Sequence, residues 1–166
     1  TGKYNKVSPS RACISNAMNV GHPSNLARFF DLYGGTVDRV GQVHKYPDLE
    51  EMRRHIFSVS VSDSQTRETI KNVYKRYQAV LEQHGAVGWA GLEEYLKTTP
   101  EQKLAICLET AHPAKFPEEI EKLLGLTVPV PESMQNIDLR EGSAVAMSGD
   151  YSSFRNYLQK TLKIKE

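Results

Sequence analysis

Cysteine is scarce, with only Cys13 and Cys107 in 166 residues. So few exclude a disulfide framework. Each sits in an apolar context, which reads as a buried reduced thiol in a cytoplasmic protein rather than half of a bridge. Long hydrophobic runs are missing too: nothing approaches the ~18 apolar residues of a membrane helix. No charged-then-apolar leader opens the chain, so no secretory signal is expected. Neither sign of charge dominates, since 21 Lys and Arg against 20 Asp and Glu leave a formal +1. The basic residues are scattered among acids, which argues against a nucleic-acid groove or a membrane-attracted face. Repeats, low-complexity segments, Walker loops, Gly-x-Ser-x-Gly and Gly-x-Gly-x-x-Gly are all absent. His44, His55 and His84 lie far apart, and His112 has no partner at three to five residues, so no metal signature is present. Cys107 falls within an apolar run, where a thiol is inert packing rather than a nucleophile.

What is present is an ordinary globular composition, 39% hydrophobic and 25% charged, in a length that suits one domain over residues 1–166. The chain opens on Thr1, and the loop-like residues 2–6 follow no preceding element. The expectation is the C-terminal part of a longer polypeptide.

Residues 11–14 form a candidate strand. Apolar positions 26, 29, 30 and 33 predict a helix over 25–33, capped by Ser24 or Asn25 and ended by Gly34-Gly35. Residues 36–46 are ambiguous. Asp48 is placed to cap a short helix through Ile56. Strict alternation over 57–62 predicts a half-buried strand. Asp63 or Ser64 starts a helix to about Gln78, with Thr66, Ile70, Val73, Tyr74 and Tyr77 inward. Residues 82–96 predict another helix, in which Gly85, Gly88 and Gly91 recur every third position. Glycine there costs about 1 kcal/mol each against alanine; close approach of another element or of a ligand compensates. Residues 103–108 give the clearest strand and 116–124 a helix capped by Gly125. Pro129 and Pro131 exclude 128–131 from a central strand. A helical turn at 132–135, a short edge strand at 145–147 and a last helix over 153–162 complete the chain. Asp150 or Ser152 caps that helix, with Phe154, Tyr157, Leu158 and Leu162 inward.

Two polar stretches carry the chemistry. Glu109-Thr110-Ala111-His112-Pro113-Ala114-Lys115-Phe116 joins the clearest strand to a helix, the place where α/β proteins bind ligands. It offers a hydroxyl, an imidazole and a cation, and Pro113 restrains the turn. The same residues also serve as a plain connection that caps its helix. Residues 15–25, dense in Ser and Asn, sit in a similar place after residues 11–14. If both strands join one parallel sheet, the two stretches face each other across one cleft, which would take a small anion or a cofactor.

Together with His84-Gly85-Ala86-Val87-Gly88, these stretches resemble threonine synthase. Ser15-Asn16-Ala17-Met18-Asn19-Val20-Gly21-His22-Pro23-Ser24-Asn25 is similar to the family's Ser/Asn motif. Thr110-Ala111-His112-Pro113-Ala114-Lys115-Phe116 is similar to its strongest signature. This chain has Asn19 where the family pattern has Asp, keeping an acceptor without the charge. It has Glu82-Gln83-His84 where the pattern has Asp-Pro-His, losing a stiff turn. The family's Schiff-base Lys motif, His-Gly-Pro-Thr-x-x-Phe-Lys, and its phosphate-cradling Gly/Asn loop have no match here.

The resemblance implies the C-terminal portion of a fold type II pyridoxal-phosphate enzyme, similar to tryptophan synthase β: an α/β architecture with several helices around a small, largely parallel sheet. It implies pyridoxal phosphate as cofactor of the complete enzyme, and O-phosphohomoserine and water turned into threonine and phosphate. It places the Thr110 hydroxyl at the cofactor's pyridine nitrogen, and Ser15, Asn16, Asn19, His112 and Lys115 near the site. Without a matched Lys, the isolated chain is expected to be inactive and not to hold the cofactor. The rival reading is a non-catalytic module that binds a phosphorylated metabolite or a partner chain. No nucleic-acid or membrane partner is expected. Sheet edges stripped of their neighbours lead to the expectation that the chain self-associates.

Overall fold

In a computed structural model, which describes residues 5, 7–99, 101, 104–139, 142 and 144–162, the elements follow in order. They are α1 (Leu26–Leu32), β1 (Thr36–Val37), β2 (Val43–Lys45), α2 (Leu49–His55), α3 (Asp63–Tyr77), α4 (Gln83–Thr98), α5 (Pro117–Leu124) and α6 (Tyr151–Leu162). Single 3₁₀ turns occupy Pro113–Lys115, Glu132–Met134 and Ile137–Leu139. The chain divides into two compact units, Thr1–Pro129 and Val130–Glu166.

The helix starts follow their caps. The Asp48 carboxylate accepts from the amides of Glu50 and Glu51, which fixes the start of α2. Ser62 and Gln65 form a reciprocal capping box at α3. Asn25 stands at the N-cap of α1 but makes no side-chain cap bond. Gly34 and Gly125, at φ +75° and +66°, adopt the left-handed conformation that stops α1 and α5. Gln78 ends α3 in the same conformation, at φ 56°.

The core of the first unit is helical. Its α3 packs on both α4 and α5. Thr66, Ile70 and Val73 of α3, Ala86 of α4 and Ile120 of α5 are buried, as is Val128 beyond α5. Burying an Ile side chain contributes about 1.5–3 kcal/mol. Tyr77 departs from the expected inward stripe. It is half exposed and packs edge-on against Trp89, with ring centroids 5.6 Å apart.

The fold class is α/β, helix-rich around a small sheet, but that sheet is not the largely parallel one expected. Among the described residues it is a two-stranded antiparallel hairpin, pairing Thr36 with Lys45 and Val37 with Val43. Residues 36–46, ambiguous in sequence, supply it. Asp38 holds its loop by accepting from the amides of Val40 and Gln42 at 2.9 Å each. The Gln42 bond leads the contacts that hold its carboxyl below the usual range. The expected strands at 11–14, 57–62, 104–108 and 145–147 join no ladder, and Lys103 lies outside the described residues. Alternation describes a strand's faces, whereas a ladder needs a neighbour's amides and carbonyls. Residues 57–62 have the first without the second, and the continuous apolar run at 104–108 joins no ladder either.

In the second unit, Asp150 caps α6, accepting from the Ser153 amide at 2.8 Å. The Ser148 hydroxyl also donates to it, and together these bonds lower its pKa to about 2. The inward face expected for α6 is only partly realised. Tyr157 and Leu158 are half-buried, whereas Phe154 and Leu162 are exposed.

Candidate functional site

Two of the three motif stretches meet at the N-terminus of α4. Glu82 is the N-cap, fully buried, and its carboxylate accepts from the Gly85 amide at 2.8 Å and pairs with His84 Nδ1 at 2.6 Å. Glu109, from the other stretch, accepts from the Glu82 amide at 3.2 Å. Its carboxylate occupies the place a side chain at Gly85 would take: a Cβ there would lie 1.7 Å from Glu109 Oε2. Cys107 uses the next glycine in the same way, its Sγ 3.2 Å from where a Cβ on Gly88 would be. The recurrence at 85, 88 and 91 is therefore a track that admits another segment of this chain. On the far side of the turn, the His84 and Phe116 rings stand 5.4 Å apart. Contacts on both flanks thus fix the stretch that carries Thr110.

Electrostatics follow from this seating. Glu109 is exposed over much of its surface, yet loss of water around its carboxyl, with Glu82 close by, pushes its pKa up. Burial likewise raises the Cys107 thiol, consistent with packing rather than reactivity. Both cysteines are free and half-buried.

Within the turn, Thr110 is exposed, just after the seated Glu109. His112 caps the Pro113–Lys115 turn, its Nδ1 accepting from the Ala114 amide at 3.1 Å. The Lys115 ammonium lies 5.7 Å from the centroid of the Phe116 ring.

The Ser/Asn stretch is held elsewhere. Asn16 Nδ2 donates to the Cys13 carbonyl at 2.6 Å, and the Ser15 hydroxyl lies 3.7 Å from Cys13 Sγ. Ser15 and Asn16 are half-buried and Asn19 is exposed. The Ile14 amide donates to Asp63 at the start of α3, 3.2 Å away. One turn further, Arg67 pairs with Glu119 in the first turn of α5 at 2.5 Å. The link between Ser15 and Thr110 therefore runs through the N-terminal turns of α3 and α5.

Sequence reasoning gave Glu82 and Glu109 no role. The available signal was the acid two residues before His84 together with a glycine three after it, the pattern of a side-chain cap. Nothing local pointed from Glu109 to Gly85, because that contact spans 24 positions of sequence.

A family profile described as "Threonine synthase, C-terminal" matches residues 85–158. Threonine synthase of Haemophilus influenzae is 33% identical over 150 residues, covering 90% of this chain and 31% of that protein. That of Buchnera aphidicola from Acyrthosiphon pisum is 38% identical over 127 residues, 76% of this chain and 26% of its own length. In structure, the chain superposes on crystalline yeast threonine synthase with a TM-score of 0.69 at 22% identity. The match covers 98% of this chain and 38% of the yeast one. The chain thus spans about a third of the length of the relatives it matches.

Proposed function

This chain corresponds to the C-terminal region of the threonine synthase family, and we propose that it contributes the Thr110 wall of a pyridoxal-phosphate enzyme. That enzyme would convert O-phosphohomoserine and water to threonine and phosphate, as a cytoplasmic lyase of threonine biosynthesis. One observation carries the reading: motif residues far apart in sequence hold a single exposed hydroxyl from both sides. Glu109 is seated on Gly85, and Phe116 lies against His84.

The residues present fit one edge of such a cofactor rather than all of it. Thr110 would take the ring nitrogen, a neutral hydroxyl there leaving that nitrogen less protonated than a carboxylate would. When bound, pyridoxal phosphate supplies the electron sink for elimination of phosphate and addition of water. The chain's own work is to orient. Glu82 and Glu109 fix where Thr110 stands, and the Pro113–Lys115 turn sets where His112 and Lys115 begin. Ser15, Asn16 and Asn19 would line the opposite side of the site. Because the Schiff-base lysine has no match here, the isolated chain would be inactive.

The test joins the part of the Haemophilus influenzae enzyme that this chain does not match to this chain, in one polypeptide. With pyridoxal phosphate and O-phosphohomoserine it should release phosphate. Thr110→Val should lower turnover at least tenfold, and the isolated chain should release none. A folded joined protein without activity, or a Thr110→Val variant as fast as its parent, would overturn the reading. Phosphate release by the isolated chain would overturn its inactivity.

One feature favours the rival, a metabolite-binding module. A groove of about 690 Å³ is lined by Arg53, Arg54, His55, Gly88, Tyr95 and Thr98, among others, and combines cations with an apolar floor. Saturable binding of O-phosphohomoserine to the isolated chain, abolished by Arg53→Gln, would support that reading.

A further inference from the structure

Two acids converge on one glycine at the start of α4, and their hydrogen bonds leave them short of donors. Glu82 is fully buried. Its Oε1 accepts from the Gly85 amide at 2.8 Å, and its Oε2 pairs with His84 Nδ1 at 2.6 Å. Glu109 Oε1 accepts from the Glu82 amide at 3.2 Å. Among the described residues no N–H reaches Glu109 Oε2, which stands 1.7 Å from where a Cβ on Gly85 would be. Two ionised carboxylates so placed repel each other, whereas one proton held between them turns the repulsion into a hydrogen bond. Glu82 and Glu109 make such a bond between their side chains. The N-terminal end of α4 meets the one charge that remains.

The two acids are not equally free to leave. Glu82 caps α4 from within the core, whereas Glu109 is exposed over much of its surface and is followed directly by Thr110. When the proton passes to solvent, Glu109 is therefore the acid that swings out. The other titratable groups facing it among the described residues are His84 from α4 and Cys107 from its own segment. His84 is already engaged by Glu82. The Cys107 thiol, kept neutral by burial, adds no charge.

We propose that Glu109 is a positioning residue for the threonine-forming reaction: it holds Thr110 at the site while it shares a proton with Glu82, and releases it when that proton is lost. This rests on the functional reading above. It adds the acid that acts through Thr110 and the condition under which that acid acts. Alkaline pH then loosens the Thr110 wall without altering any residue that meets the cofactor.

Nuclear magnetic resonance of this chain, without cofactor, reads the device directly. The Glu109 carboxyl carbon should titrate above the ordinary carboxyl range, and the Thr110 amide should move with it in one step. Glu109→Gln keeps a donor that cannot ionise, and Gly85→Ala evicts the carboxyl without altering either acid; each should silence the Thr110 response. A Glu109 carbon that titrates like a free carboxyl, or a Thr110 amide that ignores it, overturns the proposal. So does a response that survives in either variant. In the joined protein, kcat should fall on the alkaline side. Glu109→Ala should lower kcat on the order of tenfold at every pH, and Glu109→Gln should restore most of that loss and remove the alkaline fall. Equal pH profiles of the parent and Glu109→Gln, or a Glu109→Ala variant as fast as its parent, overturn the proposal. An inactive joined protein in which Thr110 still follows Glu109 sinks only the functional reading, and an active one whose Thr110 ignores Glu109 sinks only the positioning.

Discussion

The Ser/Asn stretch and the Thr110 stretch look alike in sequence, each a short polar turn between an extended segment and a helix, and the molecule holds them differently. Residues 109–116 rest on buried structure. Glu109 lies on Gly85, Phe116 lies against His84, and α5, which begins directly after, sends Ile120 into the core. Residues 15–25 are tied by hydrogen bonds from Asn16 to the Cys13 carbonyl, from the Val7 amide to the Gly21 carbonyl and between His22 and the Arg39 carbonyl, with Met18 78% exposed. Polar composition lets a turn satisfy its own backbone. Only a packed neighbour gives it a single position.

Unfolding of the isolated chain by urea, followed through Trp89 in α4, measures that contrast. Ile120→Ala should destabilise by about 2–5 kcal/mol, through lost burial plus a cavity in the helical core on α5. Glu82→Ala should cost about 1–3 kcal/mol, since the Gly85 amide and His84 lose their acceptor. Asn16→Ala, which removes the bond to the Cys13 carbonyl in the other stretch, should cost about 0.5–1.5 kcal/mol. A larger loss than for Ile120→Ala would reverse the contrast.

Glu109→Gln separates charge from shape. The native carboxyl has a raised pKa, so its contribution is full below the ordinary value of 4.5 and is lost as pH rises through the raised one. Stability curves of Glu109→Gln and the unaltered chain should therefore meet near pH 4 and separate above it, with the Gln variant the more stable. Curves that stay parallel would remove the charge from the account. Met18→Ala should change stability by less than about 0.5 kcal/mol, and a larger loss would mean the Ser/Asn stretch is packed after all.

The helices were legible because their signals are local. Asp48, the Ser62–Gln65 pair, Gly125 and Asp150 act within a few residues of themselves, and each does at its helix end what its type dictates. Residues 104–108 show the limit of that logic. Their continuous apolar run reads as a strand, but pairing depends on a neighbour that no pattern within the segment can supply. The glycine spacing of α4 was ambiguous for the same reason. It announces a close approach without naming what approaches, and Glu109 and Cys107 come from 24 and 19 residues downstream of the glycines they meet. Of the candidate site, the grouping of His84 with the Thr110 stretch could be read from motif order. The carboxylate pair beneath it could not.

The cap at His112 has one more consequence. An imidazole nitrogen that receives an amide proton cannot carry a proton of its own, so the bond from Ala114 assigns the neutral ring a single tautomer, with hydrogen on Nε2. A turn of three residues thereby decides that this ring greets an incoming group as a giver of a proton contact and not as a taker.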